Sequence, residues 1–337
     1  MGGIWGRSER RRKTWLVAAT LALSLIVFLA ADLEAKETFP KLVNIYFPSL
    51  GDADIHALAR YDMLVLPKRA QTWHQEELQE LRTLNPDIIL LVHMPVSYNG
   101  SWTAPEDNAV LTEKLNSADW WLRDTRGERV MANAQDGMLN VTRGCPPDRD
   151  GERLQDWLPE YINERLGPGG WWDGVFLDLC MEQISWMNNY LTYPIDIDQD
   201  GVGEPAIELN AAWDQGMLSM VTKLRDLTGD DYILVTNGNN TYFEFCDGST
   251  REDFPEMHGD WYANIANPDF GYLAMSNYRR PSANVINTIW SGPSTLGGPV
   301  RTPTFIRKFR LTFASTLVFG DGHYSLDGPN HSQIWWH

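Results

Sequence analysis

The stretch WWDGVFLDLC, residues 171–180, decides how the rest of the chain is read. Its centre is continuously apolar, the pattern of a parallel strand covered on both faces rather than of a half-exposed antiparallel one. The run then ends on a carboxylate, Asp178. An isolated buried carboxylate costs several kcal/mol or stays neutral unless it is paired, hydrogen-bonded or left at a wet strand end. The stretch therefore predicts a buried strand whose C-terminal end opens onto a polar space.

Similar runs recur along the chain: KLVNIYFP (41–48), YDMLVLP (61–67), DIILLVHMP (87–95), DGVFLDLC (173–180), YILVTNGN (232–239), YFEFCDGS (242–249), NVINTIWS (284–291) and GHYSLD (322–327). Helical patterns lie between them. TWHQEELQELRTL carries Thr72 and Gln75 at capping-box spacing and stops before Pro86. LQDWLPEYINERL (154–166) has Pro159 as its expected start, and LNAAWDQGMLSMVTKLRDL puts Met217, Met220, Val221, Leu224 and Leu227 on one face. TFIRKFRLTFASTLVF is apolar almost all round. Strands alternating with helices imply βαβ units, and eight of them favour a closed (β/α)8 barrel, an α/β TIM barrel, over an open sheet. A dinucleotide-binding sheet would also need a glycine-rich phosphate loop after its first strand, and none follows here. Residues 36–337 are expected to form this one domain, with long loops at 96–153 and 181–209.

In a barrel the loops after the strands build the active face. That places Asp178 at the functional end of the fourth strand, with the capping of a following helix as its plain structural alternative. Glu182, one turn further on, is a competing candidate. Asn44 and Tyr46 from the first strand, His93 and Tyr98 from the third, Asn237 and Asn239 from the fifth and Trp290 from the seventh can join it, and CDGSTRED supplies Asp247, Glu252 and Asp253. Carboxylates, amides and aromatic rings converging on one face suit a neutral polyhydroxylated ligand. Two carboxylates are also what glycosidic bond cleavage needs, one as acid and one as nucleophile or base.

The order of short motifs WWLRDTRGERV, MLNVT, WWDGVFLDLC, VTNGN, CDGSTREDFPE and LVFGDGHYSLD resembles the landmarks of the bacterial barrel proteins catalogued as hypothetical glycosyl hydrolase family 15. The resemblance runs from about residue 41 to the C-terminus. It implies a retaining barrel glycosidase with its carboxylates after strands four and six, which in this chain are Asp178 and Glu252. The family's sequences continue past a Trp-Trp pair similar to the one in HSQIWWH, so the resemblance also implies a chain truncated before an eighth covering helix.

DIDQDGVGEP is the other sharp motif: Asp196, Asp198, Asp200 and Gly201 occupy positions 1, 3, 5 and 6 of a calcium loop, Val202 offers its carbonyl at position 7, and Glu204 falls at position 9. Position 12 is Ile207 rather than Glu, which argues for a calcium-stapled loop instead of an EF-hand. No cofactor is expected for catalysis. The seven histidines lack zinc-site spacing, and no GxSxG elbow occurs.

The net charge of −17 would repel nucleic acid and anionic headgroups. Five Arg/Lys within residues 7–13 precede an apolar span from Trp15 to Ala31, so residues 1–35 read as a signal peptide or signal anchor. The remainder is then extracytoplasmic, touching membrane only through that segment. The three cysteines, Cys145, Cys180 and Cys246, read as buried small hydrophobes, with a Cys180–Cys246 disulfide left open. Fifteen tryptophans supply both core and surfaces of the kind that stack on sugar rings. The sequence thus favours a glycosidase acting on an oligo- or polysaccharide, against an inactive barrel that binds glycans or scaffolds a cell-surface assembly and, more weakly, a non-glycosidic hydrolase; oligomeric state is left open.

Overall fold

A computed structural model describes residues 40–100, 105–237, 242–256, 260–268, 271–275, 282–295, 297–319 and 322–335. The signal-like segment and Asn239 lie outside these residues. Among the described residues no helix is long and apolar enough to cross a membrane.

Eight parallel strands close into a barrel: β1 (Lys41–Ile45), β2 (Met63–Pro67), β3 (Ile89–Pro95), β4 (Gly174–Asp178), β5 (Ile233–Asn237), β6 (Gly248–Arg251), β7 (Val285–Ile289) and β8 (His323–Asp327). Each pairs with its sequence neighbours, and β8 closes on β1 with Lys41 opposite His323. Helices α1 (Gln75–Leu84), α2 (Pro105–Ala118), α3 (Leu154–Leu166), α4 (Ala206–Thr228) and α5 (Pro303–Phe319) lie along the chain between them. The fold expected from alternating runs is the fold observed.

Side chains alternate inward and outward along a strand. Val43, Ile45, Met63, Val65, Leu91, Phe176, Val235 and Val285 fill the barrel as one apolar cluster. Leu64, Leu66, Leu90, Val92, Val175, Leu177 and Leu234 point outward, into a second cluster shared with Leu158, Ile162, Met217 and Leu224 of the helices. Both faces are buried, hence the unbroken apolar runs. The same alternation fixes the top of the barrel: two residues past Leu91, Phe176 and Val235 stand His93, Asp178 and Asn237.

Within the opening stretch each polar residue has a separate task. Asp173 accepts from the Leu90 amide at 2.7 Å and from Arg82 at 2.8 Å, tying α1 to β3 and β4. Gly174 lies so close to β5 that a Cβ there would meet the Ile233 carbonyl oxygen at 2.1 Å. Asp178 alone faces the mouth.

Four local expectations are corrected. The sixth strand is Gly248–Arg251, not 242–249. Tyr242 and Cys246 are buried in a turn, with the Tyr242 hydroxyl donating to Asp214 of α4 at 2.8 Å, so the YFEFC apolarity serves helix packing. The helix at 75–84 starts after His74, with no side-chain cap, and Ala70–Trp73 form a separate turn. Helix α3 starts at Leu154 and carries Pro159 inside it. Leu227 is exposed on α4, where Thr228 turns inward instead.

The 96–153 segment contains α2 and two small antiparallel pairings, Tyr98–Asn99 with Gly137–Met138 and Arg123–Asp124 with Ile195–Asp196. The second pairing joins it to the 181–209 segment. All three cysteines are buried and unbridged. After β8 the chain packs back onto the barrel: Trp335 is buried, and its carbonyl accepts from the Tyr61 hydroxyl at 2.7 Å.

Candidate active site

A cavity of about 330 Å³ opens at the C-terminal ends of the strands, lined by Asp178, Asn237, Glu252, His93, Tyr98, Phe176, His331 and neighbouring residues. Asp178 is held on both oxygens. Its Oδ2 accepts from the Tyr98 hydroxyl at 2.8 Å and from His93 Nε2 at 3.1 Å. Its Oδ1 accepts from Asn237 Nδ2 and from the Leu179 amide, both at 3.0 Å. Burial alone would raise its pKa, yet the His93 bond and its Coulombic attraction, with the Tyr98 and Asn237 bonds, outweigh burial and bring the pKa down to about 2. Asp178 is therefore a carboxylate kept ionised by the donors around it.

Glu252 Oε2 accepts from the same nitrogen, Asn237 Nδ2, at 3.1 Å. The two N–H vectors of an amide diverge by about 120°, so two carboxylate oxygens that each take one of them in ideal geometry would stand about 5 Å apart. Glu252 follows β6 directly, since that strand ends at Arg251. Burial raises its pKa first; the Asn237 bond opposes this, and the Asp178 charge adds to the rise. The two carboxyls are thus driven apart in proton affinity by their surroundings.

The residue after each carboxylate carries a backbone conformation unusual for a side-chain-bearing residue: φ is +50° at Leu179 and +45° at Asp253. Such residues store about 1–3 kcal/mol each and persist where the surrounding structure dictates them. Here they turn the chain sharply out of the strand, so that the carboxyl stays aimed into the mouth while the loop leaves.

His331 also lines the cavity. It comes from the segment after β8, has φ +46°, and holds its Nε2 3.9 Å from Glu252 and its Nδ1 3.6 Å from Asp327. Burial lowers its affinity for a proton, but Asp327, Glu252 and Asp178 together raise its pKa above the ordinary value. Asp327, fully buried, accepts from Ser325 Oγ at 2.6 Å and Asn287 Nδ2 at 2.8 Å. Sequence reading did not single out His331 or Phe47; the spacing of His331 four residues past the last strand-end carboxylate, Asp327, is the signal that was available for the former.

Of the residues expected at the site, Asp178, Glu252, His93, Tyr98 and Asn237 meet around one cavity. The others stand elsewhere. Asn44 is buried and donates to the Gln333 carbonyl at 3.0 Å, anchoring the C-terminal segment. Tyr46 lines a separate pocket with Asp52 and Trp335. Trp290 packs on Phe305 at 5.1 Å between ring centres. Glu182 is half-buried outside the cavity lining, and its charge acts on Arg251 and Tyr242. Asp247 forms a 2.6 Å ion pair with Arg225, and Asp253 one with Lys308 at the same distance. Among the described residues no tryptophan lines the carboxylate cavity; its aromatic surfaces are Phe47, Tyr98 and Phe176.

The family model described as hypothetical glycosyl hydrolase family 15 matches residues 82–296, which span β3 to β7 and hold both carboxylates. The chain belongs to that family. No curated protein matches it. Among solved structures, this family 15 chain is similar to the glycoside hydrolase domain of PelA from Pseudomonas aeruginosa (13% identity, 86% of this chain and 96% of that one, TM-score 0.47). It is also similar to the cycloalternan-degrading enzyme of Trueperella pyogenes (11% identity, 85% of this chain and 42% of that one, TM-score 0.47).

The calcium-loop motif of the family 15 chain forms a separate acidic cluster. Carboxylate oxygens of Asp196, Asp198 and Glu204 lie within 4.8 Å of one another. Asp200 is not in this group: its Oδ1 accepts from the Val202 amide at 2.8 Å. Asp196 accepts from the Gly201 amide at 2.8 Å, and both Glu204 oxygens approach the Ile197 amide. Burial, with the nearby Asp196 and Asp198 charges, raises the Glu204 pKa despite those backbone bonds. Carboxylates at this spacing fit a hard cation with oxygen ligands.

Proposed function

We propose that this protein is a retaining glycoside hydrolase acting on an oligo- or polysaccharide, with Asp178 as nucleophile and Glu252 as acid/base. The observation that carries the reading is the shared Asn237 amide, which bonds Asp178 at 3.0 Å and Glu252 at 3.1 Å. Retaining enzymes hold their two carboxyl groups about 5–5.5 Å apart, whereas inverting ones leave roughly 6.5–9.5 Å for a water molecule.

In the first step the Asp178 carboxylate attacks the anomeric carbon while Glu252 gives its proton to the glycosidic oxygen, so the bond to the leaving sugar breaks as a glycosyl ester forms. In the second, Glu252 takes a proton from water, whose oxygen displaces Asp178 from the same carbon and regenerates both groups. The depressed Asp178 pKa, about 2, keeps the nucleophile ionised, and the raised Glu252 pKa lets the acid hold its proton to higher pH than an ordinary carboxyl. His93, Tyr98 and Asn237 position Asp178. An exported protein stapled by one calcium ion at Asp196, Asp198 and Glu204 is part of the same proposal.

The test is a panel of polysaccharides followed by proton NMR of the first product. Initial release of the same anomer as the substrate supports the reading, and the opposite anomer refutes the retaining assignment. Binding without turnover across the panel would favour a glycan-binding barrel.

A further inference from the structure

A second compartment of about 540 Å³ lies next to the carboxylate cavity, with Phe47, His93, Tyr98 and His331 lining both. Its volume is in the range of a pocket that encloses a small ligand. The described lining residues of the two compartments differ in charge. The first holds Asp136, Asp178 and Glu252. The second is lined by Lys68 and Arg69, and by no carboxylate among its described lining residues. That runs against the composition of the chain, which has 45 acidic and 28 basic residues, so an arbitrary patch would be expected to carry more acids than bases.

Both cations are built into the barrel rather than laid on its surface. Lys68 directly follows Pro67, the last residue of β2, and is only 3% exposed. Arg69 donates from its guanidinium to the Phe47 carbonyl, which fixes the side chain beside the aromatic ring that walls both compartments. A buried ammonium next to an oriented guanidinium matches an anionic oxygen group: the guanidinium fork binds a carboxylate or sulfate through two parallel bonds, and the ammonium adds a point charge. The remaining lining, Phe47, Pro48, Pro67 and Pro95, offers apolar faces of the kind that pack against a sugar ring.

We propose that the cleft is built for an acidic glycan, the sugar flanking the scissile bond placing its carboxylate or sulfate between Lys68 and Arg69. This rests on the glycosidase reading and refines its substrate from a neutral chain to an anionic one. The net charge of −17 repels a polyanion at long range, so selectivity comes from this one compartment rather than from steering.

The experiment is calorimetric titration of the full chain carrying Asp178→Asn, which stops turnover, with matched pairs differing only in charge: polygalacturonate oligomers and their methyl esters, alginate oligomers and their carboxyl-reduced forms, and sulfated and desulfated galactan oligomers. The wild-type chain is assayed for cleavage of the same pairs. The expected result is that a carboxylated or a sulfated member binds at least about tenfold more tightly than its neutral counterpart, the first pairs and the last telling the two anions apart. Lys68→Met and Arg69→Gln should each erase that preference, with melting curves showing which variants remain folded; the matched pairs decide the matter even if neither variant folds. Equal binding of charged and neutral members, a preference that survives both substitutions in folded protein, or no binding to any pair overturns the acidic-glycan inference. Cleavage of neutral chains that Asp178→Asn abolishes would do so while leaving the glycosidase reading standing, and binding of acidic members with no cleavage anywhere would sink the glycosidase reading alone.

Discussion

The protein holds two clusters of close-set carboxylates, one at the barrel mouth and one in the 196–204 loop, and their surroundings differ throughout. At the mouth, Asp178 receives four hydrogen bonds, three from side chains supplied by two distant chain segments, 93–98 and the end of β5, and faces a cavity. In the loop, the bonds to Asp196, Asp200 and Glu204 come from backbone amides a few residues away. The mouth is assembled by the tertiary fold: burial raises the proton affinity of both acids, and the His93, Tyr98 and Asn237 bonds outweigh it at Asp178, whereas the Asn237 bond does not at Glu252. The loop is assembled by local sequence, and its charges gather where Asp198 is exposed to solvent. Side-chain donors converging on one acid prepare it for a reaction; backbone turns gathering several acids prepare them for a cation.

The largest expected effect comes from breaking the mouth. Asp178→Asn or Glu252→Gln should lower turnover by about 10³-fold or more with the melting temperature little changed, read by reducing-sugar assay and calorimetry. Retention of full activity by both variants would remove the assignment and leave Glu182 to be tested.

Next is the bridge. Asn237→Ala removes the amide that both carboxyls share, so turnover should fall by about 10². Because the Asn237 bond favours the ionised form of each acid, the pKa of both should rise, and both limbs of the pH–rate profile should move upward.

In the unmodified protein, rate should fall with acid only as pH approaches about 2, where Asp178 takes a proton, and should fall with base as pH passes the raised Glu252 pKa and the proton donor is lost. His331 pulls that second value down through its charge. His331→Gln should therefore extend activity to higher pH, a shift that a purely structural role for His331 would not produce.

The smallest effect tests the other cluster. Chelation should lower the melting temperature by a few degrees through loss of a ligand that binds only the folded loop, with Asp196→Asn abolishing the response. A melting curve indifferent to chelator would leave the loop as an acidic turn held by its backbone bonds.

How much of this was legible can be judged residue by residue. Asp178, His93 and Asn237 were readable because inward residues repeat every second position and each stands two past an apolar inward one. Glu252 was carried by resemblance, since β6 is Gly-Ser-Thr-Arg and offers no apolar run. The run that was visible, YFEFC, belongs to a turn packed against α4. Trp290 and Asn44 have side chains suited to sugar binding, but their partners are Phe305 and the Gln333 carbonyl, far away in sequence.

The sequence by itself determined the barrel, because apolar periodicity is a local property that survives without knowing what it packs against. It also determined which strand end carries the first carboxylate, and the acidic loop, whose bonds span only a few residues. Tertiary structure alone decided that one amide joins Asp178 to Glu252, that His331 reaches back to them from beyond β8, and that Lys68 and Arg69 line the compartment next to them. The reach of His331 depends on closing β8 against β1, which brings residues separated by most of the chain side by side, and no local pattern records that closure.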